Sequence, residues 1–439
     1  MRRSRSRIVS IALVVLLCAI AVGTPSSGAR AQDTIELLVW DQFTDQAESD
    51  TVDQIYAGFT EAHPNIKITR EAFSTDQMRE TVNTAIASGT GPDVIFYDAG
   101  PGYAGVLANA GLLTPLDAYA EKYGWGERFS ASHLEATSIN GQLFGLPLQV
   151  DLIGMYYNKT LLEQEGLQVP ETLDQLAAFC GEASEKGYIP MAFANNPGWE
   201  AFHQFSMTAN QMLGPEAMRQ LLVEGQGSWD SPEIVTAIES YFVTLRDAGC
   251  YSEDANALTY DDGNALFFSG QSLLHSTGSW LVNDIQANMA DFEVGFVPFP
   301  EISGGTGRLW VSGVGSAYYT TSTAENPDAA AQFLDYLFAP ETVTRWVNDA
   351  SFVVPVEFDA ASVDVQPLFR SILDAIQAAT DEGTQFGYNV DVLAPPDFND
   401  VLLNGLQAMI AGDTTAEQLA ADLQAAWDKA RQDQGTPAA

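Results

Sequence analysis

The chain has 439 residues, with 58 Asp and Glu against 19 Lys and Arg and a formal charge of −39 at pH 7. That length holds two domains with separate cores, and the acidic balance repels nucleic acid and anionic lipid, which excludes both as electrostatic partners. The four histidines (His63, His133, His203, His275) are scattered with no H-E-x-x-H spacing, so no metal or other cofactor is expected.

The first element is a leader. Arg2, Arg3, Arg5 and Arg7 precede an almost unbroken apolar run, Ile8 to Val22, and a polar stretch closes with Ala29-Arg30-Ala31. This reads as a secretory signal peptide over residues 1–31 with an A-x-A cleavage site, too short for a comfortable membrane span. Leu17 stands where a lipobox before Cys18 wants a small residue, so Cys18 reads as part of the apolar run. Cleavage lowers the 19 basic residues to 14 against 58 acids, a mature charge of −44. Export, to the periplasm or the outer face of the envelope, leaves Cys180 and Cys250 in an oxidising compartment, where a disulfide is expected and two buried thiols are the alternative.

The next segments read β, α, β, α, β. Ile35–Trp40 is a short apolar strand, Ala47–His63 a helix stopped by Pro64, and Ile66–Phe73 an alternating strand. Asp76–Ser88 is a helix ended by Gly89 and Gly91, and Val94–Tyr97 a buried-type strand ending at Asp98. Strands alternating with helices predict a mainly parallel sheet. A second α/β stretch begins after Leu148. Thr172-Leu-Asp-Gln175 is a capping box opening a helix to Ala183, and Ile189–Ala194 is a strand. Pro232 and Pro327 sit in the first turns of two further helices. Ala329, Ala330, Phe333, Leu334, Leu337 and Phe338 form the apolar stripe of the second. Thr415-Ala-Glu-Gln418 caps the last helix, to about Asp433, and residues 434–439 read as a disordered tail. No flexible linker separates the two α/β stretches, which favours lobes joined by strands over lobes joined by a tether.

Enzyme motifs fail on inspection. Ser303-Gly-Gly-Thr-Gly-Arg308 has glycines without the Lys-Ser/Thr ending of a Walker loop, and there is no G-x-S-x-G elbow. Gly100-Pro-Gly-Tyr-Ala-Gly105 fits G-x-G-x-x-G, but Pro101 removes an N–H that a phosphate cradle needs. The tryptophans are more informative. Trp40 and Asp41 end the first strand, Asp98 ends the third, Trp199 and Glu200 follow the turn Asn195-Asn-Pro-Gly198, and Trp280 closes Thr277-Gly-Ser-Trp280. Ligands of open α/β sheets lie beyond the carboxyl ends of strands. Rings beside carboxylates suit a sugar, with its apolar faces and polar rim. Trp125, Trp229, Trp346 and Trp427 read as structural.

The stretch Thr259-Tyr-Asp-Asp-Gly-Asn-Ala-Leu-Phe-Phe-Ser-Gly270 leading into Ser276-Thr-Gly-Ser-Trp280 resembles the signature of family 1 extracellular solute-binding proteins, the maltodextrin-binding-protein-like group. Gly91-Pro-Asp-Val-Ile95, Asn140-Gly-Gln-Leu-Phe-Gly-Leu-Pro147 with Tyr156-Tyr-Asn-Lys159, and Asn326-Pro-Asp-Ala-Ala-Ala-Gln-Phe-Leu334 match in the same order. The resemblance implies a two-lobed, type II-like periplasmic-binding-protein fold, its lobes joined by strand crossovers around a ligand cleft. It implies a monomeric, non-enzymatic receptor that closes on a carbohydrate and delivers it to the membrane permease of an ABC importer. The same fold taking a polyamine or another small solute is the alternative, and a secreted carbohydrate-active enzyme a weaker one. A phosphate ligand would want cleft arginines, for which Arg308 and Arg345 are the candidates. The expected lobes are 32–148 plus 297–345 and 149–296 plus 346–433. Carried over by position, Trp40, Asp41, Asp98, Asp151, Trp199, Glu200, Trp280, Gly313, Tyr388 and Asp391 are the expected ligand contacts. Gly315 accompanies Gly313, and Phe398 is the substitute for Tyr388 or Asp391.

Overall fold

The structure, a computed structural model, describes residues 34–433 apart from 253, 357 and 359–362. The expected signal peptide and the expected C-terminal tail lie outside the described residues. In chain order the strands are β1 (Ile35–Asp41), β2 (Ile66–Ala72), β3 (Val94–Asp98), β4 (Ser138–Ile139), β5 (Gln142–Leu143), β6 (Gly145–Pro147) and β7 (Asp151–Asn158), then β8 (Ile189–Ala192), β9 (Ser272–Gly278), β10 (Val294–Val297), β11 (Val311–Gly313), β12 (Ser316–Thr320) and β13 (Gly387–Tyr388). They make two main sheets and, with β4 and β5, one small hairpin.

The first sheet runs β2-β1-β3-β12-β6. β1 pairs parallel to β2 and β3, and β12 lies antiparallel between β3 and β6. The predicted helices appear at Gln46–Ala62 and Thr75–Ala87, the second closed by a capping box between Ser74 and Gln77. Helices on both faces bury β3 throughout, the condition that lets a central parallel strand be apolar along its whole length. The second sheet runs β13-β11-β7-β9-β8, with β10 also paired to β7. Thr172 caps the helix Leu173–Glu185 through the Gln175 N–H. The Gln175 side chain reaches back to the N–H of Glu171 rather than that of Thr172, so the expected box closes one residue early.

Each sheet carries its own core. Phe59, Phe333, Trp346 and Phe369 belong to the first, and Phe202, Phe205, Trp229, Tyr241 and Trp427 to the second. The tryptophans assigned to structure, Trp125, Trp229, Trp346 and Trp427, are all buried. So is the apolar stripe of the helix Pro327–Leu337. Cys180 and Cys250 are bonded, with Cα atoms 4.8 Å apart and a separation of 70 positions in sequence. Closing a loop of that length removes ~4 kcal/mol of unfolded-state entropy in the chain-entropy account.

Among the described residues the chain passes between lobes three times: from β6 to β7, from β11 to β12, and between Asp381 and Gly387. This corrects two expected boundaries. Residues 298–313 stay with the second lobe, because Phe299, Leu309 and Val311 pack in its core and β11 pairs with β7. Residues 346–373 stay with the first, where Trp346, Val347, Phe352 and Ile372 are buried among its side chains.

Candidate functional site

Between the lobes lies a cleft of about 320 Å³, open to solvent. From the first lobe it is lined by the loop after β1, by the first turns of the helices Gln46–Ala62 and Thr75–Ala87, and by Asp98 at the end of β3. From the second come Asp151 at the start of β7, Trp199, the turn at Tyr260 and Asp261, and Trp280 after β9. Gly313 and Gly315, at the β11 to β12 crossing, and Asn389 and Asp391, just past β13, complete the wall.

Six of the ten expected contacts therefore meet in one place: Asp98, Asp151, Trp199, Trp280, Gly313 and Asp391. The aromatic members interlock. The Trp280 indole N–H donates to the Tyr260 hydroxyl at 2.7 Å, and the Trp199 and Tyr260 rings stand 4.8 Å apart. His203 bridges Trp199 and Trp280 at 5.4 and 5.1 Å, and burial, with the charge of Arg79, pushes its pKa down to about 3 and keeps the ring neutral. Trp280 lies so close over Gly278 that a Cβ there would come within 1.8 Å of its ring. That glycine is what lets the indole lie flat on the strand end.

Four expected contacts are elsewhere. Trp40 points to the opposite face of β1, against Phe73 at 4.7 Å and in a cluster with Met78 and Val82. Asp41 is fully buried and holds Arg70 with two bonds, Nε to Oδ2 at 2.6 Å and Nη2 to Oδ1 at 2.9 Å. Both faces of β1 are covered by helices, so its last two side chains enter cores instead of the cleft. Glu200 follows Trp199 around the first turn of a helix, about 100° away. Its carboxylate accepts the Ala194 N–H in the lobe interior, and burial pushes its pKa well up. Tyr388 alternates outward from β13, its backbone held by the Asn210 amide, while Asn389 and Asp391 turn inward. Phe398 does not replace it, being buried on Trp229 at 4.6 Å. Nor do Arg308 and Arg345 reach the cleft, since they bond the Pro298 carbonyl and Gln54.

The cleft's arginine is one the sequence reading passed over. Arg79 grips Asp98 with Nε to Oδ2 at 2.8 Å and Nη2 to Oδ1 at 3.1 Å, and its guanidinium lies over Tyr103 at 4.8 Å and Trp199 at 5.8 Å. Asp45, Glu48, Asp76, Tyr260, Asp261 and Asp284 were also missed. Four of them, Glu48, Asp76, Asp261 and Asp284, are first-turn acids of helices, a position acids favour at any helix N-terminus. The glycines of Gly100-Pro-Gly-Tyr-Ala-Gly105 have a packing role. Gly100, at φ +92°, would put a Cβ 1.8 Å from the Val392 carbonyl oxygen.

Eight carboxyl groups face this cleft with Arg79 as the one guanidinium or ammonium among its described lining residues. Burial, then the neighbouring Asp45, pushes Asp284 up to about 8. Burial pushes Asp151 up to about 7 against the Ser279 hydroxyl bond, and Asp391 up to about 6 against Arg79 and the Tyr103 hydroxyl. These groups bind protons in the folded state that unfolded carboxyls release near pH 4. The folded state thus holds more protons between pH 4 and 8, and stability is lost as pH rises through that window. The melting temperature of the ligand-free protein is expected to fall on the order of 5 °C from about pH 5 to about pH 8.5. Asp284→Asn is expected to flatten that slope; a calorimetric series showing the reverse trend would contradict the assignment.

The family model of bacterial extracellular solute-binding proteins matches residues 43–344. The chain belongs to this family. Among its relatives is a multiple sugar-binding protein of Streptococcus mutans serotype c, 23% identical over 349 residues, covering 76% of this chain and 79% of that one. A maltotriose-binding protein of Pyrococcus abyssi is 24% identical over 66% of this chain and 60% of the other. Among solved structures, a chitin oligosaccharide binding protein superposes with a TM-score of 0.77 at 20% identity, over 91% of this chain and all of that one. A solute-binding protein in complex with raffinose does so at 0.68 and 21%, over 90% and 99%. The structural likeness establishes the two-lobed fold. Among the described residues of this solute-binding protein, no helix is long and apolar enough to cross a membrane.

Proposed function

We propose that this solute-binding protein is the exported receptor of an ABC importer, taking a sugar or oligosaccharide into its cleft and presenting it to the membrane permease. One observation carries the reading: the wall of Trp199, Tyr260 and Trp280 on one lobe faces carboxylates of the other across the cleft. Stacked rings take the apolar faces of a pyranose, and carboxylates accept its hydroxyls in pairs. The sugar-binding relatives support the choice of cargo. Closure follows from the geometry, since a ligand touching both walls favours the closed population over the open one. The receptor works as a monomer with no catalytic step of its own. It acts in the periplasm or at the outer face of the envelope.

The excess of carboxylates over Arg79 favours a second reading, a polyamine in the same cleft. A thermal-shift screen of the mature chain separates the two. A saccharide present at 100 times its Kd is expected to stabilise the fold by about 2.7 kcal/mol through mass action. Shifts with putrescine or spermidine and with no saccharide would overturn the sugar reading.

A further inference from the structure

Six of the cleft's eight carboxyl groups fall into two groups. Asp98 is matched by Arg79, and Asp391 lies in the field of the same guanidinium. The second group has no such match. Asp45 and Glu48 come from the first lobe and Asp261 and Asp284 from the second, and they act on one another's charge across the gap. The nearest guanidinium, Arg70, is committed to Asp41 and Asp53.

Asp284 decides what this group wants. It is only 6% exposed, yet it lines the cleft. The helix that carries it lies against the helix Gln46–Ala62 of the opposite lobe, and its side chain hydrogen-bonds another carboxyl, that of Asp45. Oδ1 of Asp391 and Oδ1 of Asp76, both in the cleft wall, are buried acceptors with no partner. Buried acceptors left this way cost free energy unless a ligand supplies the donors. A sugar hydroxyl brings one hydrogen to such a pair, whereas an ammonium brings up to three and cancels charge as well. Asp284 also stands one helical turn beyond Trp280, where the turn Ser279–Leu281 runs on into the helix Val282–Asn288, so ring and carboxylate share a side.

We propose that the solute bound here is a saccharide carrying a protonated amine, its ring on the Trp199 and Trp280 wall and its ammonium between Asp284 and Asp45. This rests on the sugar reading and narrows it to amino sugars and amine-bearing oligosaccharides.

Titration calorimetry on the mature chain with matched probes tests this. The probes are glucosamine, galactosamine and chitosan oligosaccharides, each against its N-acetyl form, and the monosaccharides also against their neutral hydroxyl parents. At least one amine is expected to bind about tenfold or more tightly than its neutral partners, the difference of one charge-assisted bond. Asp284→Asn and Asp45→Asn are each expected to erase that preference, read as the ratio of amine to neutral affinity within the same variant. Melting curves verify that both variants fold. Neutral saccharides binding as well as or better than their amines would overturn the proposal and leave the sugar reading intact. The same holds if none of the amine-bearing probes binds, or if the preference survives both substitutions. Binding of spermidine with no saccharide would overturn both.

Discussion

Trp280→Ala is expected to weaken binding of whichever saccharide stabilises the protein by about 100- to 1000-fold, or ~3–4 kcal/mol. The size follows from how the ring is held. Its N–H is tied to Tyr260, its edge meets His203, and Gly278 lets its plane lie down on the end of β9. A platform fixed before the ligand arrives costs little ordering entropy on binding, so most of the stacking contact appears as affinity. Alanine removes the platform and also leaves the Tyr260 hydroxyl with Thr277 alone. Trp280→Phe keeps a ring and loses the N–H, and a loss nearer tenfold is expected. Calorimetric titration at constant pH measures both, with melting curves to verify that each variant folds. An alanine variant of normal stability and near-parental affinity would remove Trp280 from the site and take the sugar reading's main support with it.

The sequence carried the elements better than it carried their partners. Strands β1 to β3 are short apolar runs between plain stops, Pro64 after one helix and Gly89 and Gly91 after the next, and such signals are local. Lobe membership is not local. β11 and β12 are separated by Val314 and Gly315 alone, yet one pairs with β7 in the second sheet and the other with β3 in the first. No feature of Val311–Thr320 says which partner each will find. The site shows the same division. Asp98 was reachable by the rule that ligands lie beyond strand ends, because it is the last residue of β3. The rule failed one strand over, where helices on both faces claim Trp40 and Asp41. Glu48, Asp76, Asp261 and Asp284 were hidden because first-turn acids complement the helix dipole whether or not a cleft lies beyond them. Arg79 sits mid-sequence in an amphipathic helix with no motif around it. Only the packing of that helix against β3 brings it to Asp98.

Asp41→Ala is expected to destabilise the folded protein by about 3–5 kcal/mol, the cost of removing one partner from a buried ion pair. Asp41 accepts two bonds from Arg70, one from the Tyr56 hydroxyl and one from the Phe43 N–H. Tyr56 loses little by its removal, since its hydroxyl also meets that of Tyr318 at 2.8 Å. Arg70 loses most. Its side chain is 11% exposed, and its remaining carboxylate, Asp53, is 61% exposed and weakened by solvent. Replacing the pair together, Asp41→Leu with Arg70→Met, is therefore expected to recover part of the loss, because it removes the stranded charge. Asp41→Asn should fall between, keeping an acceptor for Arg70 while losing the charge. Because Asp41 does not line the cleft, saccharide affinity measured well below the melting temperature is expected to stay within about threefold of the parent's, under ~1 kcal/mol. Denaturant unfolding and titration calorimetry on the same samples separate the two roles. Normal stability with lost affinity would return Asp41 to the ligand. Lost stability with normal affinity assigns it to the fold of the first lobe, where its carboxylate pairs with Arg70 at the end of β1.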